Sequence, residues 1–536
     1  MIRLISLICL IGLAGCLSPE RAPLFAVDWD DELREVERKS TTLPAPPSPA
    51  FNDLPDLSAI GDEPIELSIE QAAALALTRN RELSVEQLGP VITGSFELIE
   101  EGVFDPELFA EIEYGRDRAS EVDRGTGGQF AVDAEGVNSI AGVRQRLPTG
   151  TDVELRALQS RDTSSRSPEQ QEAEIGITVT QALLRGFGPS VNLADVRQAR
   201  LDTKISRYEL RGYVEALLAE VESAYWNYTL AVEQIRIFER SLELAERQLE
   251  DVRQRIEVGV NPRAESAAAE AEVALRQQGL IDARAELEAQ QYSLLRLLDA
   301  TGADGALDRT LRLTSDATIE PRPLDDLPSH VALGLRFRPD LAEARLRLER
   351  DRLEVIQTRN GLLPRLDVFV TLGKTGFADS FGGSFENLAT EDTFDAVVGG
   401  QFSYPLGNDV ARGQNRAAVA TRLQAARAIE NLRQLVRLDI RLAAVELRRA
   451  GESVAASART RELQEATVQA EQDRFDAGAS TALLVAQAQR DLVAAEIAEV
   501  EAVIAYRLAR IALYRAEGTL LARRGIRLDG AASGVR

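Results

Sequence analysis

The residue types that perform catalysis or hold metals are scarce and scattered in this chain. Its single histidine, His330, has no cysteine near it, so the spacing of a metal site is missing and a surface or linker histidine is expected. No glycine-rich phosphate loop, nucleophile elbow or paired-histidine motif is present. With 86 acidic against 62 basic residues, the formal charge of −24 argues against a nucleic-acid partner. The expectation is a chain with no catalytic residues, no metal and no cofactor. The residues of interest are instead one cysteine near the start, Cys16, and two glycines, Gly259 and Gly478, each interrupting a long helical pattern.

Those glycines are placed by the longest elements. From Gln181 to Ala300 the chain opens with QALLRGFG, continues as about seventy residues of helical pattern, and turns at VGVNP. A return helix then runs from Arg263 to Asp299. At 1.5 Å per residue the outgoing arm would reach roughly 100 Å. Ile235, Phe238, Leu242, Ala245, Leu249, Val252 and Ile256 fall at alternating spacings of three and four, the seam of a coiled coil. The return arm is alanine-rich, so neighbouring helices can approach closely. A long antiparallel helical hairpin is expected, and the plan occurs twice. After Leu406 a second long helix runs through Asp476, breaks at Ala477-Gly478-Ala479 and returns from Ser480 to Gly518. Upstream of each hairpin, Ala74–Leu83 matches Ala332–Leu341. A repeat of this length exceeds solenoid periods and indicates a duplication.

Residues 1–15 have a charged start, a short apolar run and small residues before Cys16, the pattern of a signal peptide. The run is too short to span a bilayer. Leu13-Ala14-Gly15-Cys16 resembles the bacterial lipobox, which implies acylation of Cys16 and an envelope location; an ordinary signal with an incidental cysteine is the alternative. Leu17, where an aspartate often marks inner-membrane retention, favours the outer membrane. A single acylated end anchors weakly, so a second membrane element is expected. Residues 16–65 form a proline-rich linker.

The first repeat, 66–300, begins with a helix from Ser68 to about Glu101 and changes to a period of two over about 106–184. Leu108, Ala110, Ile112 and Tyr114 alternate with Phe109, Glu111 and Glu113; Ile175, Ile177 and Val179 alternate with Gly176, Thr178 and Thr180. Pro148-Thr149-Gly150 makes a compact turn between two further runs, and 120–136 and 160–171 suit exposed loops. Such alternation fits either membrane-barrel strands or a soluble sheet packed on helices. The hairpin occupies 188–300. Residues 301–325 link the halves and, with the tail 519–536, are expected around the middle of the helices. The second repeat, 326–518, has a helix from about Leu324 to Gly361, strands over about 364–406 flanking a Gly/Phe-rich loop (Gly373 to Asn387), and a hairpin over 408–518. Four strands are expected in the first repeat and two in the second.

Taken in order, these segments resemble the TolC-like outer-membrane efflux protein family, lipoprotein type, from about Ile65 to Leu520. The residues that carry the resemblance are the two tips, the junctions Gln181-Ala182-Leu183 and Tyr404-Pro405-Leu406, the run Ala224 to Trp226, and Leu363-Pro364. The resemblance implies a mixed α and β membrane protein of the Gram-negative outer membrane. It would be a homotrimer whose helical hairpins form a periplasmic α-barrel continuous with a shared transmembrane β-barrel. It further implies a passive exit duct of a tripartite efflux or type I secretion system, docked to a periplasmic adaptor and through it to an energised inner-membrane pump. Docking would fall to Val258, Gly259 and Val260 and to Ala477, Gly478 and Ala479, where a plain helix-capping glycine is the alternative. The periplasmic gate candidates are Arg263 and Glu265, as charged links or a solvated pair, and Leu484 and Gln487. These last two stand where well-known members carry acidic rings, so an apolar constriction at Leu484 is the hypothesis here. Four strands per protomer give the family a twelve-stranded barrel. The added hairpin at Pro148-Thr149-Gly150 leaves two arrangements open: a wider barrel, or an extracellular feature above it. A lipid-tethered coiled-coil scaffold or adaptor without a barrel is the competing reading.

Overall fold

The computed structural model describes residues 64–259, 262–298, 310–324 and 326–526. The signal peptide, Cys16, the linker up to 63, Val260, residues 301–309 and the tail from 527 lie outside the described residues. The described residues divide into two compact units, one built from Ile92–Lys204 with Arg345–Arg427, the other from the remainder.

The first unit is a six-stranded antiparallel sheet in the order β2-β3-β4-β5-β7-β8. The strands are β2 (Glu107–Val122), β3 (Gln129–Leu147), β4 (Thr151–Ser164), β5 (Gln170–Ala182), β7 (Arg365–Ala378) and β8 (Phe394–Ser403). Four come from the first repeat and two from the second. The segments expected to be loops at 120–136 and 160–171 are largely strand, and connections remain only at 123–128 and 165–169. Composition misled because these stretches are polar, whereas backbone pairing and cross-strand charges sustain them: Arg116 faces Glu135 at 3.6 Å and Arg118 faces Asp133 at 3.4 Å. The Gly/Phe-rich loop expected at Gly373 to Asn387 is also different. β7 continues to Ala378 and a helix, Phe381–Thr390, follows. It packs so tightly on β7 that a Cβ at Gly376 would stand 2.2 Å from the Leu388 amide nitrogen, which is why that position needs glycine.

One end of the sheet is tied down by side-chain amides. Asn192 donates from Nδ2 to the carbonyls of Pro148 (3.1 Å), Gly186 (2.8 Å) and Gly188 (3.1 Å). The Oδ1 of Asn360 accepts from the Gly186 amide at 2.8 Å. The QALLRGFG junction is thereby clamped to the Pro148-Thr149-Gly150 turn, with Gly150 and Gly186 both at positive φ.

Apart from that sheet and one short strand pair, the described chain is mainly helical. The helix expected from Ser68 to Glu101 is three helices: Ile69–Arg79, Arg81–Glu86 and Gly89–Gly102. Asn80 breaks the first from the second. It sits in an extended conformation (ψ 124°), and its side chain accepts from the Leu83 amide, so it caps the next helix. Likewise the helix expected from Leu324 is two, Leu327–Phe337 and Pro339–Gly361, because Pro339 disfavours helical geometry at Arg338. The first hairpin consists of Ala194–Glu257 and Ala264–Leu298, the second of Asp409–Asp476 and Ala482–Glu517. A core of Leu67, Leu75, Leu218, Tyr225, Leu294, Leu298 and Leu520 packs where β1 (Ile65–Leu67) pairs in parallel with β6 (Leu311–Leu313). Tyr225 and Tyr228 donate their hydroxyls to the carbonyls of Leu67 and Leu311, each at 3.0 Å, which fixes that pair on the long helix.

His330 is neither on an open surface nor in a linker. It lies in Leu327–Phe337, mostly shielded, with Nδ1 in hydrogen-bond contact with the fully buried Glu517. Arg523 (3.0 Å) and Thr519 (2.8 Å) complete the carboxylate's shell. Burial alone would raise the Glu517 pKa, but these partners outweigh it and hold the carboxyl below the usual range. A buried carboxylate needs donors, and a histidine in the first turn of its helix can supply one without any signal in its spacing.

Candidate docking and gating site

Each hairpin ends at a glycine in the left-handed conformation, Gly259 at φ +78° and Gly478 at φ +74°. At the second tip the Ala479 amide donates to Arg474 O (2.7 Å) and the Gly478 amide to Phe475 O (2.9 Å), a Schellman cap. A Cβ at either glycine would meet no atom within 4 Å. Backbone conformation alone therefore demands glycine there, and both tips are open to a partner. Val258 is 74% exposed. Ala477 and Ala479 are exposed as well.

Just behind the turns the two tips are packed on one another. Phe475 is 3% exposed among Val252, Ala269, Ala482 and Val485, with Leu249 and Ile256 against them. The Arg255 guanidinium lies 4.5 Å from the Phe475 ring centroid and 2.7 Å from Asp476 Oδ1. This cross-tip clasp was not among the candidates read from sequence. The signal it leaves in the sequence is slight: with Gly259 set over Gly478, Arg255-Ile256-Glu257 stands over Arg474-Phe475-Asp476, and the clasp joins Arg255 of one copy of the motif to the phenylalanine and aspartate of the other. Among the expected gate residues, Arg263 is exposed and Glu265 half-buried at the start of the return helix. On the same arm, hydrogen bonds from Arg253 and Ser266 hold Glu270 below the usual carboxylate range.

Leu484, 44% exposed, and Gln487 lie on the open side of Ala482–Glu517, while Ala482 and Val485 face the clasp. The same open side continues at Asp491, a carboxylate that the sequence comparison of two positions passed over. Behind this surface is a buried polar layer. Glu272 Oε1 lies 2.6 Å from Arg276, and its Oε2 lies 3.6 Å from Arg490 on the opposite hairpin. A small cavity of about 30 Å³ adjoins it, lined by Ala245, Gln248, Ala268, Glu272, Leu483 and Gln489 among others. Charged groups of both signs compensate one another here without a hydrogen-bond geometry that satisfies every donor: the Nε2 of Gln248 and the Nε of Arg490 are buried without a hydrogen bond, the latter in ion-pair contact only. Among the described residues no cluster of His, Cys, Asp or Glu could hold a metal ion.

Paired tips, two long hairpins and a sheet with one apolar face make a combination that can be compared with known proteins. The family model described as "Outer membrane efflux protein" matches residues 145–300 and 333–519. The chain belongs to that family. Solved members share its fold. The outer-membrane channel OprN superposes with a TM-score of 0.63 at 18% identity, covering 84% of this chain and 89% of that one. The CmeC outer membrane channel of Campylobacter jejuni gives 0.62 at 15% identity, over 87% of this chain and 91% of CmeC. VceC of Vibrio cholerae gives 0.61 at 16%, over 84% and 96%. No curated protein matches the chain by sequence. The family's two matched segments begin within β3 and β8's repeat respectively, so β2 and the first helices fall outside them. Among the described residues no helix is long and apolar enough to cross a membrane.

Proposed function

We propose that this outer-membrane efflux protein is the passive exit duct of a tripartite efflux or secretion system. Three copies share one transmembrane β-barrel, and their hairpins form a periplasmic α-barrel. Acylated Cys16 adds a lipid anchor, and the tips Val258-Gly259-Val260 and Ala477-Gly478-Ala479 dock a periplasmic adaptor, which couples the duct to an energised pump. The gate is formed by the arms behind the tips, at Arg263, Glu265, Leu484 and Gln487.

The observation that carries this reading is the sheet's surface. Leu108, Ile112, Tyr114, Phe394, Val398 and Phe402 are 63–81% exposed and lie on the same face. In water such a face and the unpaired edges of β2 and β8 would aggregate; in lipid the face is solvated and the edges must close on other copies. A tethered scaffold would leave that surface unburied.

The test is mass in detergent together with planar-bilayer conductance, on the natural chain and on Cys16→Ser. A detergent-requiring trimer with discrete openings supports the duct, and Cys16→Ser should still need detergent. A water-soluble Cys16→Ser monomer without conductance would replace the duct by the scaffold.

A further inference from the structure

The six strands form one uninterrupted sheet, and the added hairpin β3–β4 lies in its middle. The pairing registers run straight through it. Leu108 pairs with Val143, Val143 with Leu155, Leu155 with Ile177, Ile177 with Leu372, and Leu372 with Ala396. Directly paired residues share a face. One apolar row therefore crosses all six strands, and two of its members, Val143 (40% exposed) and Leu155 (51% exposed), belong to the added hairpin. A second row, Val153–Val179–Val370–Val398, runs parallel to it. The opposite face carries Glu111, Glu113 and Asp117 on β2, Glu154 on β4, and Glu172 and Glu174 on β5, with Arg144, Arg146 and Arg156 as the basic residues of the hairpin on that side. A hairpin standing above the membrane would have no reason to continue both the apolar row and the polar one in register with the strands on either side.

Connections point the same way. At one end of the sheet β3 joins β4 through the three residues 148–150, and the helices enter and leave. At the other end lie 123–128, 165–169 and the helix-bearing segment between β7 and β8. Short turns on one side and longer loops on the other are the habit of outer-membrane barrels. Six strands are fewer than the eight of the smallest such barrels, so closure needs further copies. Strand directions alternate from β2 to β8, so β8 of one copy meets β2 of the next antiparallel.

Resting on the trimeric duct proposed above, we propose that three copies close an eighteen-stranded barrel with an acidic inner wall, wide enough for bulky cationic solutes. With strands about 4.8 Å apart and tilted about 40°, the backbone diameter grows from about 24 Å for twelve strands to about 36 Å for eighteen. After roughly 5 Å of side chain is allowed on each wall, the free bore about doubles, from about 14 to about 26 Å, and eighteen strands falls in the range of about 16–18 in which porins leave an aqueous channel.

Single cysteines on the added hairpin test this. Ala141 and Ala157 lie in the row of Ala110 and Ile175, beside the apolar row, whereas Asn138 lies on the polar face with Glu113. In trimers reconstituted into liposomes, Asn138→Cys should react with a water-soluble maleimide. Ala141→Cys and Ala157→Cys, carrying a small fluorophore, should be quenched by brominated lipid. The largest neutral polyethylene glycol that enters the extracellular mouth should be about twice as wide for the natural chain as for a variant lacking 129–164, in which β2 and β5 become neighbours. If the trimer conducts but all three cysteines react from water, the hairpin stands outside the membrane and the inference falls while the duct survives. A dimeric particle would overturn the strand count and the trimer together. If the deletion variant does not fold, the cysteine pattern alone decides.

Discussion

The clasp between the tips makes a quantitative prediction about opening. Arg255→Ala removes two contacts, the 4.5 Å stacking over Phe475 and the 2.7 Å ion pair with Asp476. A partly shielded cation–π contact contributes about 0.5–1 kcal/mol. The ion pair involves a 53% exposed aspartate, so about 0.5 kcal/mol is expected from it. Together the loss is about 1–1.5 kcal/mol, or roughly a tenfold increase in the opening equilibrium if opening separates the tips. Asp476→Ala removes, across the tips, only the ion pair, its other contact being with Gln472 on the same helix, and should give about a twofold increase. The double variant should open no more than Arg255→Ala alone, because the ion pair is already gone. Single-channel open probability in planar bilayers reads all three. Independent, multiplying effects of the two substitutions, or an unchanged open probability in Arg255→Ala, would refute the clasp as a restraint on opening.

Three other perturbations follow from the helical unit. Burial raises the Glu215 pKa from 4.5 to about 7, against the pull of Arg211 at 3.4 Å. A raised carboxylate favours the folded state fully below its ordinary value and loses that contribution as pH rises through 7, up to roughly 3 kcal/mol; Glu215→Gln should therefore flatten the decline of thermal stability between about pH 4.5 and 7. Glu272→Ala leaves Arg276 buried and Arg490 nearby without their carboxylate, so a loss of about 3–5 kcal/mol is expected in denaturant unfolding of the detergent-solubilised protein. Gly478→Ala meets no atom but forces a left-handed alanine, which should cost about 1 kcal/mol, whereas Gly361→Ala, in open space and without positive φ, should cost nothing measurable by the same unfolding assay.

What could be read from the sequence was whatever had a period. The seam from Ile235 to Ile256 was legible because every third or fourth residue is apolar, and in the structure each of its members is buried or half-buried. The strands were legible where apolar and polar residues alternate, and invisible at 115–122 and 129–136, where pairing is sustained by arginine–carboxylate pairs rather than by burial. Helix breaks at Asn80 and Arg338 were missed because the apolar spacing continues across them; their cause is one side-chain cap and one proline ring. The helix at Phe381–Thr390 hides in a glycine-rich stretch, in which Gly376 of β7 is required by the close approach of that helix. At the tips the turns could be read from glycine alone. The Arg255 clasp and the contact of Glu272 with Arg490 could not, since both join segments more than 200 residues apart, and the Glu272–Arg276 pair, though at i,i+4 spacing, gives no sign that it is buried.

That division has a physical consequence for the duct. A seam of alanines and leucines tolerates sliding, since its energy depends on area rather than on register. The clasp and the buried ionic layer do not. An arginine that must reach one aromatic ring and one carboxylate, and a glutamate that must serve two guanidinium groups, each hold the hairpins in one relative position, at a desolvation cost that an apolar layer would avoid. Placing such contacts close behind the tips, and small apolar residues along the neighbouring arms, restricts the specificity to the tip end of the helices and leaves the arms free to shift once it is released. Replacing the ionic layer by isosteric apolar residues (Glu272→Leu with Arg276→Met and Arg490→Met) should therefore raise thermal stability or leave it unchanged while broadening the distribution of conductance levels. A narrowed distribution would show that the layer does not set register.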